Sequence, residues 1–354
     1  MNGVTFYFSD IHSFIMLVEK NFFEIRSEID YYGASYVVAK YCGLAKPMYS
    51  NLTDDWQHGW APEYYNTNPC RVVPGNFCDN KDTRYFVARK DQQKYLKEHG
   101  YKNVFAIGMP IVYLDAKTIE RKKNSLLVMP VHSLHYTDHD HWGFKKYAAQ
   151  IYSLKDLFNE IVICIHPACI KNNYWINEFS AYGFRIIEGA SVHDKNALLR
   201  IQQMMSSFEY MTTNGFGSHL VYAAYFGVKV SIFGDFTEYR KEDFGNDPFY
   251  SRFPDILDIS LNLCSEKTVR DKLPDFFVHP KEAVQKIEWA KEQLGEINKL
   301  LPKEIYDLFG WSQILMIQQS IYFPLIRVTQ KGRSVLVSIL PVSIRRMLKK
   351  LFKH

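Results

Sequence analysis

The stretch from Ser206 to Asp235 limits what this chain can fold into more than any other. Glu209, Tyr210 and Met211 carry the backbone to the edge of a strand. Thr212, Thr213, Asn214, Gly215, Phe216, Gly217 and Ser218 then form a loop of small residues. Leu220 to Phe226 is an apolar, alanine-containing helix, and Gly227 suits the left-handed position that follows a helix. Val228 to Phe233 is rich in β-formers and reads as a second strand. A loop of hydroxyls and glycines that opens a helix leaves backbone N–H groups free, with the positive end of the helix dipole behind them. Such a loop suits an anion, phosphate above all. The plainer alternative is an ordinary βαβ crossover whose Thr and Ser residues only cap the helix.

The neighbouring sequence repeats the alternation. Ser125 to Pro130 has the pattern of a buried strand, and Phe144 to Phe158 is helical. Glu160 to Ile165 is a continuous apolar strand that ends in His166 and Pro167. A parallel sheet presents ligand-binding groups at the carboxyl ends of its strands, so His166 is placed where such groups belong. Pro167 stops the strand. Trp175–Ala181 (helix), Phe184–Ile187 (strand) and Lys195–Met205 (helix) complete a Rossmann-like half. It lacks a GxGxxG fingerprint, which gives a hydride-transfer dinucleotide site little support.

The first half reads less regularly. Strands are expected at Gly3–Phe8, Arg84–Ala88 and Val104–Gly108, and helices at Phe14–Ile29, Tyr36–Cys42 and Lys90–His99. The basic run Arg121, Lys122, Lys123 and Asn124 is expected to be a solvated linker at the domain boundary. Near the other end, Pro280–Leu300 has charged and apolar residues at helical spacing, and Trp311–Tyr322 is expected to be helical too.

Two histidine-bearing segments stand out. His58 and Gly59 lie between Trp56 and Trp60, closed by Pro62. Histidine moves protons near neutral pH, and Gly59 would let a ligand reach the backbone. The alternative is a packed loop whose tryptophans bury the histidine. His132, His135, His139 and His141 cluster with Asp138 and Asp140. Their spacing matches no zinc motif, so a substrate-edge loop is favoured and no metal site is expected.

Charge is distributed unevenly. Of the 43 Lys and Arg, Lys331, Arg333, Arg345, Arg346, Lys349, Lys350 and Lys353 lie in the last 24 residues with no acid among them, which leaves a near-neutral body. That argues against an extended nucleic-acid surface. Ile344, Met347, Leu348, Leu351 and Phe352 share one face of a helix there, and Arg345, Arg346, Lys349, Lys350 and Lys353 fill the other. A basic amphipathic helix of this kind suits an anionic leaflet, or alternatively packs on the body with a solvated face. The six cysteines form no CxxC pair, no signal-peptide pattern opens the chain, and no apolar run nears twenty residues. The expected location is a reducing cytosol, with peripheral attachment to the inner face of the cell membrane.

Taken in order, these pieces resemble a family. The Trp56-Gln57-His58-Gly59 segment, the Ile165-His166-Pro167 strand end and the Thr212–Ser218 loop are similar to motifs of GT-B glycosyltransferases that build bacterial surface polymers. Within that group they resemble the sialyltransferases, the Kdo transferases and the teichoic-acid polyol-phosphate transferases. The order of the Trp-His-Gly segment is shifted, and the acidic-acidic-Gly motif of the sialyltransferases is not evident. The resemblance implies an α/β chain of two Rossmann-like domains: an acceptor side over 1–120 and a nucleotide-donor side with closing helices over 121–325. A basic tail over 326–354 follows them. It implies an inverting, metal-independent transferase without a cofactor, using a nucleotide-activated sugar as substrate. The acceptor would be a lipid-linked or growing lipopolysaccharide or capsule glycan. His58 would be the base for the acceptor hydroxyl. His166, Pro167, Lys171, Thr212, Thr213, Asn214, Gly215, Gly217 and Ser218 would bind the donor. Arg345, Arg346, Lys349, Lys350, Leu351 and Phe352 would hold the membrane. The rival readings are a CDP-polyol phosphotransferase on the same scaffold and a non-catalytic nucleotide-binding subunit at the membrane.

Overall fold

The computed structural model describes residues 31–44, 56–57, 59–73, 80–115, 119–133, 139, 141–245, 247–309 and 311. The strands and helices expected at 3–8 and 14–29, His58, and the whole basic tail lie outside the described residues.

The larger lobe is the doubly wound sheet that the strand–helix alternation called for. Its strands are β3 (Lys122–Val128), β4 (Glu160–Ile165), β5 (Arg185–Glu188), β6 (Phe208–Thr213) and β7 (Lys229–Ile232). All neighbours are parallel, in the order β5-β4-β3-β6-β7. The chain therefore winds outward from β3 in one direction and from β6 in the other. Alternate residues go to opposite faces, as a strand's period of two requires. Leu126, Val128, Ile161, Ile163 and Ile165 pack under helices Phe144–Tyr152 and Ile176–Ala181. Leu127, Val162, Cys164 and Met211 pack under helices Ala197–Ser206 and Ser218–Tyr225. Both faces are covered, which is why the strands read as unbroken apolar runs.

The smaller lobe has a βαβ unit. β1 (Arg84–Val87) and β2 (Asn103–Ala106) pair in parallel, joined by the helix Lys90–Glu98. Trp56 extends this sheet through a parallel bridge to Phe86. The helix Ala34–Tyr41 packs beside it. The molecule is thus an α/β protein of two lobes, consistent with the GT-B-like double Rossmann-like arrangement.

In chain order the helices are α1 (Ala34–Tyr41), α2 (Lys90–Glu98), α3 (Phe144–Tyr152), α4 (Pro167–Lys171), α5 (Ile176–Ala181), α6 (Ala197–Ser206) and α7 (Ser218–Tyr225). They continue with α8 (Pro248–Arg252), α9 (Pro254–Cys264), α10 (Glu266–Lys272), α11 (Ile287–Gln293) and α12 (Pro302–Phe309).

Several expectations need correction. The basic run at Arg121–Asn124 is not a solvated linker, because Lys122 already belongs to the central strand β3. Arg121 donates to the carbonyls of Ser206, Phe226 and Gly227, satisfying the otherwise orphaned ends of α6 and α7. The single helix expected at Pro280–Leu300 is broken. Gln285 leaves helical geometry to bridge Lys229, and only Ile287–Gln293 is α-helical. Gly295 then turns through the left-handed region at φ +67°. Tertiary pairing overrides a periodic pattern here. Among the cysteines, Cys42, Cys164, Cys169 and Cys264 are free thiols, but Cys70 is disulfide-bonded. A uniformly reduced set was the expectation.

The segment after α11 returns to the smaller lobe. The Phe309 ring lies 5.1 Å from Phe86 and 6.1 Å from Trp56, and Arg84 donates to the Leu308 carbonyl at 3.1 Å. The last described helix, α12, therefore packs on the smaller lobe.

Candidate active site

A cavity of about 420 Å³ opens at the carboxyl ends of β3, β4 and β6, where the sheet reverses its winding direction. Open parallel sheets bind ligands at that reversal, because the loops on either side diverge to opposite faces. The smaller lobe supplies part of the wall through Gly59, Trp60, Ala61 and Tyr65. The site is thus built from both halves of the chain.

The loop between β6 and α7 divides into two parts. Thr212 and Thr213 are not loop residues; they end β6, fully buried. The Thr212 hydroxyl donates to the Ser231 carbonyl and accepts from the Ser231 hydroxyl at 2.9 Å. Asn214 stitches three segments together, accepting from Val131 N–H at 3.0 Å and donating to the Thr237 hydroxyl at 2.6 Å. Gly215 is small because Val131 lies against it: a Cβ there would be 2.1 Å from Val131 Cγ2. None of these four side-chain positions lines the cavity. Thr213 Oγ1 is buried with no hydrogen-bond partner. Gly217 and Ser218, in contrast, do line the cavity. Ser218 Oγ accepts the Trp60 N–H at 2.8 Å, joining the two lobes directly. Gly59 lies so close that a Cβ would be 3.0 Å from that same Oγ. Two segments selected separately from the sequence thus meet in space, although His58 itself lies outside the described residues.

Three histidines line the same cavity. His166 caps α4, and its Nδ1 accepts the Ala168 N–H at 3.2 Å. That bond fixes the ring proton on Nε2, making His166 a hydrogen-bond donor there. His132 has the opposite tautomer: Nδ1–H donates to the Ser133 carbonyl at 2.9 Å, leaving Nε2 with a lone pair. The two rings stack with centroids 4.5 Å apart. Burial lowers the His132 pKa below its ordinary value, which keeps the ring neutral near pH 7. His219 folds back over Gly217, where a Cβ would be 2.8 Å from its ring. Its Nε2 is buried without a partner. Burial, and secondarily His132, lowers its pKa to about 3.

The unfolded chain takes up a proton on His219 below about pH 6.5, and the folded chain does not until about pH 3. Stability is therefore fully present above the unfolded value and declines as pH falls through the window between the two. The decline should approach about 1.4 kcal/mol per pH unit for this one proton. Urea melts at pH 7 and pH 5 should show a smaller acid loss for His219→Gln than for the wild type. Equal losses would mean that His219 is not buried neutral.

Two residues singled out from the sequence stand apart. Pro167 is the first residue of α4 and stops β4 as expected. Lys171 ends that helix, exposed and away from the cavity. Of the histidine cluster expected to form a substrate-edge loop, His132 lines the cavity and the other described members, His139 and His141, do not, while His135, Asp138 and Asp140 lie outside the described residues. His139 Nδ1 and His141 Nδ1 each lie 3.5 Å from an Asp243 oxygen, and His139 stacks on Trp142 at 3.9 Å. Among the described residues no group of three His, Cys, Asp or Glu could hold a metal ion. No described helix is long and apolar enough to cross a membrane.

Sequence reading overlooked His219 and Arg71 as cavity-lining residues, and placed His132 only in a histidine cluster. A signal existed only for His132, which lies four residues past the end of β3, much as His166 directly follows β4.

No protein-family model and no curated protein matches the chain. Among solved structures it is similar to the UDP-GlcNAc 2-epimerase of Methanocaldococcus jannaschii in complex with UDP-GlcNAc and UDP. That match has 15% identity and a TM-score of 0.31, and covers 52% of this chain and 63% of the other. It is also similar to the pneumococcal O-GlcNAc transferase GtfA in complex with UDP and GlcNAc, at 12% identity and TM-score 0.33, over 70% of this chain and 48% of the other. A third is the Neisseria meningitidis UDP-GlcNAc 2-epimerase bound to UDP-GlcNAc, at 12% identity and TM-score 0.32, over 65% and 61% of the two chains. The chain thus spans between about half and 63% of the length of these three, and at such scores they carry neither a family nor an activity to it.

Proposed function

We propose that this chain is a glycosyltransferase that moves a sugar from a nucleotide-activated donor to a lipid-linked or growing bacterial surface glycan. One observation carries the reading: a two-lobed cavity at the reversal point of a parallel sheet, where His132, His166 and Ser218 converge. The donor phosphates would sit against His166 Nε2–H, Ser218 and the amino end of α7. These groups offer hydrogen bonds and a partial positive charge to a leaving phosphate without needing a cation. Gly217 leaves room for the His219 ring beside that helix end.

The acceptor hydroxyl needs a base. His58 has the sequence context for it, and among the described residues His132 has the geometry. Its Nε2 lone pair lines the cavity beside the donor-holding His166, as direct displacement of a nucleotide by an alcohol requires. The acceptor's lipid linkage and the membrane contact of residues 326–354 rest on the sequence pattern of the tail.

A thermal-shift screen against CMP, CDP, UDP, GDP and dTDP tests the donor site. One nucleotide raising the melting temperature without added Mg²⁺ is the expected result, since a ligand that binds only the folded state stabilises it by mass action. CDP-glycerol turnover without nucleotide-sugar turnover would favour the polyol-phosphate alternative. Silence from every nucleotide in a folded sample would reject the donor site. Flotation on anionic vesicles, with and without residues 326–354, tests the membrane part; floating equally without the tail would reject it.

A further inference from the structure

Among the described residues the cavity carries one formal charge that the proposed donor site does not use. Arg71 ends the short turn Pro69–Arg71 and lines the cavity from the wall shared with Phe249 of α8. Its guanidinium lies over the Tyr65 ring at 4.9 Å, and its Nε is buried with no hydrogen-bond partner. The polar groups around it are Tyr65, which also hydrogen-bonds it, Tyr250 and Cys264, none of them a carboxylate. Among the described residues no Asp or Glu lines the cavity, and none lies within ion-pair distance of Arg71. Elsewhere in this molecule, buried arginines are matched: Arg89 by Asp91 at 2.9 Å and Arg200 by Asp194 at 3.7 Å.

A half-buried cation with no carboxylate beside it among the described residues is costly, and an anion arriving there would complete the site. A guanidinium presents a planar fork of N–H donors that fits carboxylate or phosphate oxygens two at a time. Arg71 belongs to the smaller lobe, whereas His166, Gly217 and Ser218 rise from the crest of the large sheet. The donor phosphates are assigned to that crest, so the anion facing Arg71 is a different one.

We propose that Arg71 is a recognition point for an anionic group, phosphate or carboxylate, on the acceptor half of the substrate. This rests on the glycosyl-transfer reading for the word acceptor, but the anion site itself does not. The site selects acidic over neutral acceptors, and the arginine is a binding residue with no part in the chemical step. Tyr65 holds the guanidinium in place from one face.

The test uses the full chain loaded with whichever nucleotide binds best in the screen. Calorimetric titrations compare glycerol 3-phosphate with glycerol, and glucuronate with glucose. Either acidic probe should bind roughly 10- to 100-fold more tightly than its neutral counterpart, the span expected of a charge-assisted contact. Which acidic probe wins separates phosphate from carboxylate. Arg71→Gln should erase that preference while leaving nucleotide affinity intact, and Arg71→Lys should retain part of it. A preference that survives in Arg71→Gln overturns the proposal. So does a loss of nucleotide binding as large as that of His166→Ala, since Arg71 would then belong to the donor phosphates. If Arg71→Gln does not fold, the acidic probes should still protect Arg71 of the wild type from phenylglyoxal, read by peptide mass. Absence of protection counts against the site. If no nucleotide binds the wild type but an acidic probe still does, the glycosyl-transfer reading fails and the anion site stands.

Discussion

Replacing Gly295 with alanine should destabilise the protein by about 3 to 5 kcal/mol, the sum of a left-handed penalty and severe overpacking. Gly295 has φ +67°, and a Cβ there would lie 1.9 Å from the Ala88 carbonyl oxygen. The obstacle is backbone, so no side-chain rotation relieves it. That carbonyl also accepts from Asn298 Nδ2 at 2.9 Å, and the adjoining Leu294 carbonyl accepts from Met109 N–H at 2.9 Å. The turn after α11 is thus sewn to the end of β1 and to the segment after β2. It holds the returning chain against the smaller lobe. Gly43 is a suitable control, because it has φ +75° but open space where a Cβ would go. Gly43→Ala should cost only the conformational part, about 1 to 2 kcal/mol. Urea unfolding of both variants separates the two effects. Similar losses at both positions would show that the close approach at Gly295 contributes nothing.

The second large effect concerns chemistry. His132→Gln should lower turnover by roughly 10²- to 10⁴-fold, the usual worth of a positioned general base. Nucleotide binding should hardly change, because that role is proposed for His166 and Ser218. The wild type should also show an acid limb in its pH–rate profile that lies below the pKa of an ordinary histidine. The base must be unprotonated to act, and burial lowers the His132 pKa, so activity should persist to lower pH. A variant with full turnover would return the role to His58. An acid limb above the ordinary histidine value, with His132→Gln inactive, would mean that another group controls the titration.

How much of this could be read from the chain alone differs from element to element. The β6–α7–β7 unit was legible because three signals agree: an apolar strand, a glycine-bearing loop, and a helix ended by Gly227. β4 and the position of His166 at its end were legible for the same reason. Strand type, helix type and the crest of the sheet are local properties, written in periods of two and 3.6. The broken helix at 280–298 was not legible. Its periodicity is helical, and only the pairing of Gln285 with Lys229 and the approach of Gly295 to Ala88 break it.

The site divides along the same line. The sequence could nominate the loop as a group, but not sort it. Thr212 and Asn214 differ from Ser218 only in what surrounds them: the first two are spent inside the sheet crest, and the third reaches across to Trp60. By itself, then, the sequence determined a parallel, doubly wound lobe and the strand ends where chemistry belongs, because backbone periodicity and turn residues act over a few positions. Only the tertiary structure decided which side chains face the cavity, that His132 and His166 hold opposite tautomers side by side, and that no described acid stands beside Arg71. Those are properties of contacts between residues far apart in the chain, and no local pattern encodes which polar groups are left without a partner.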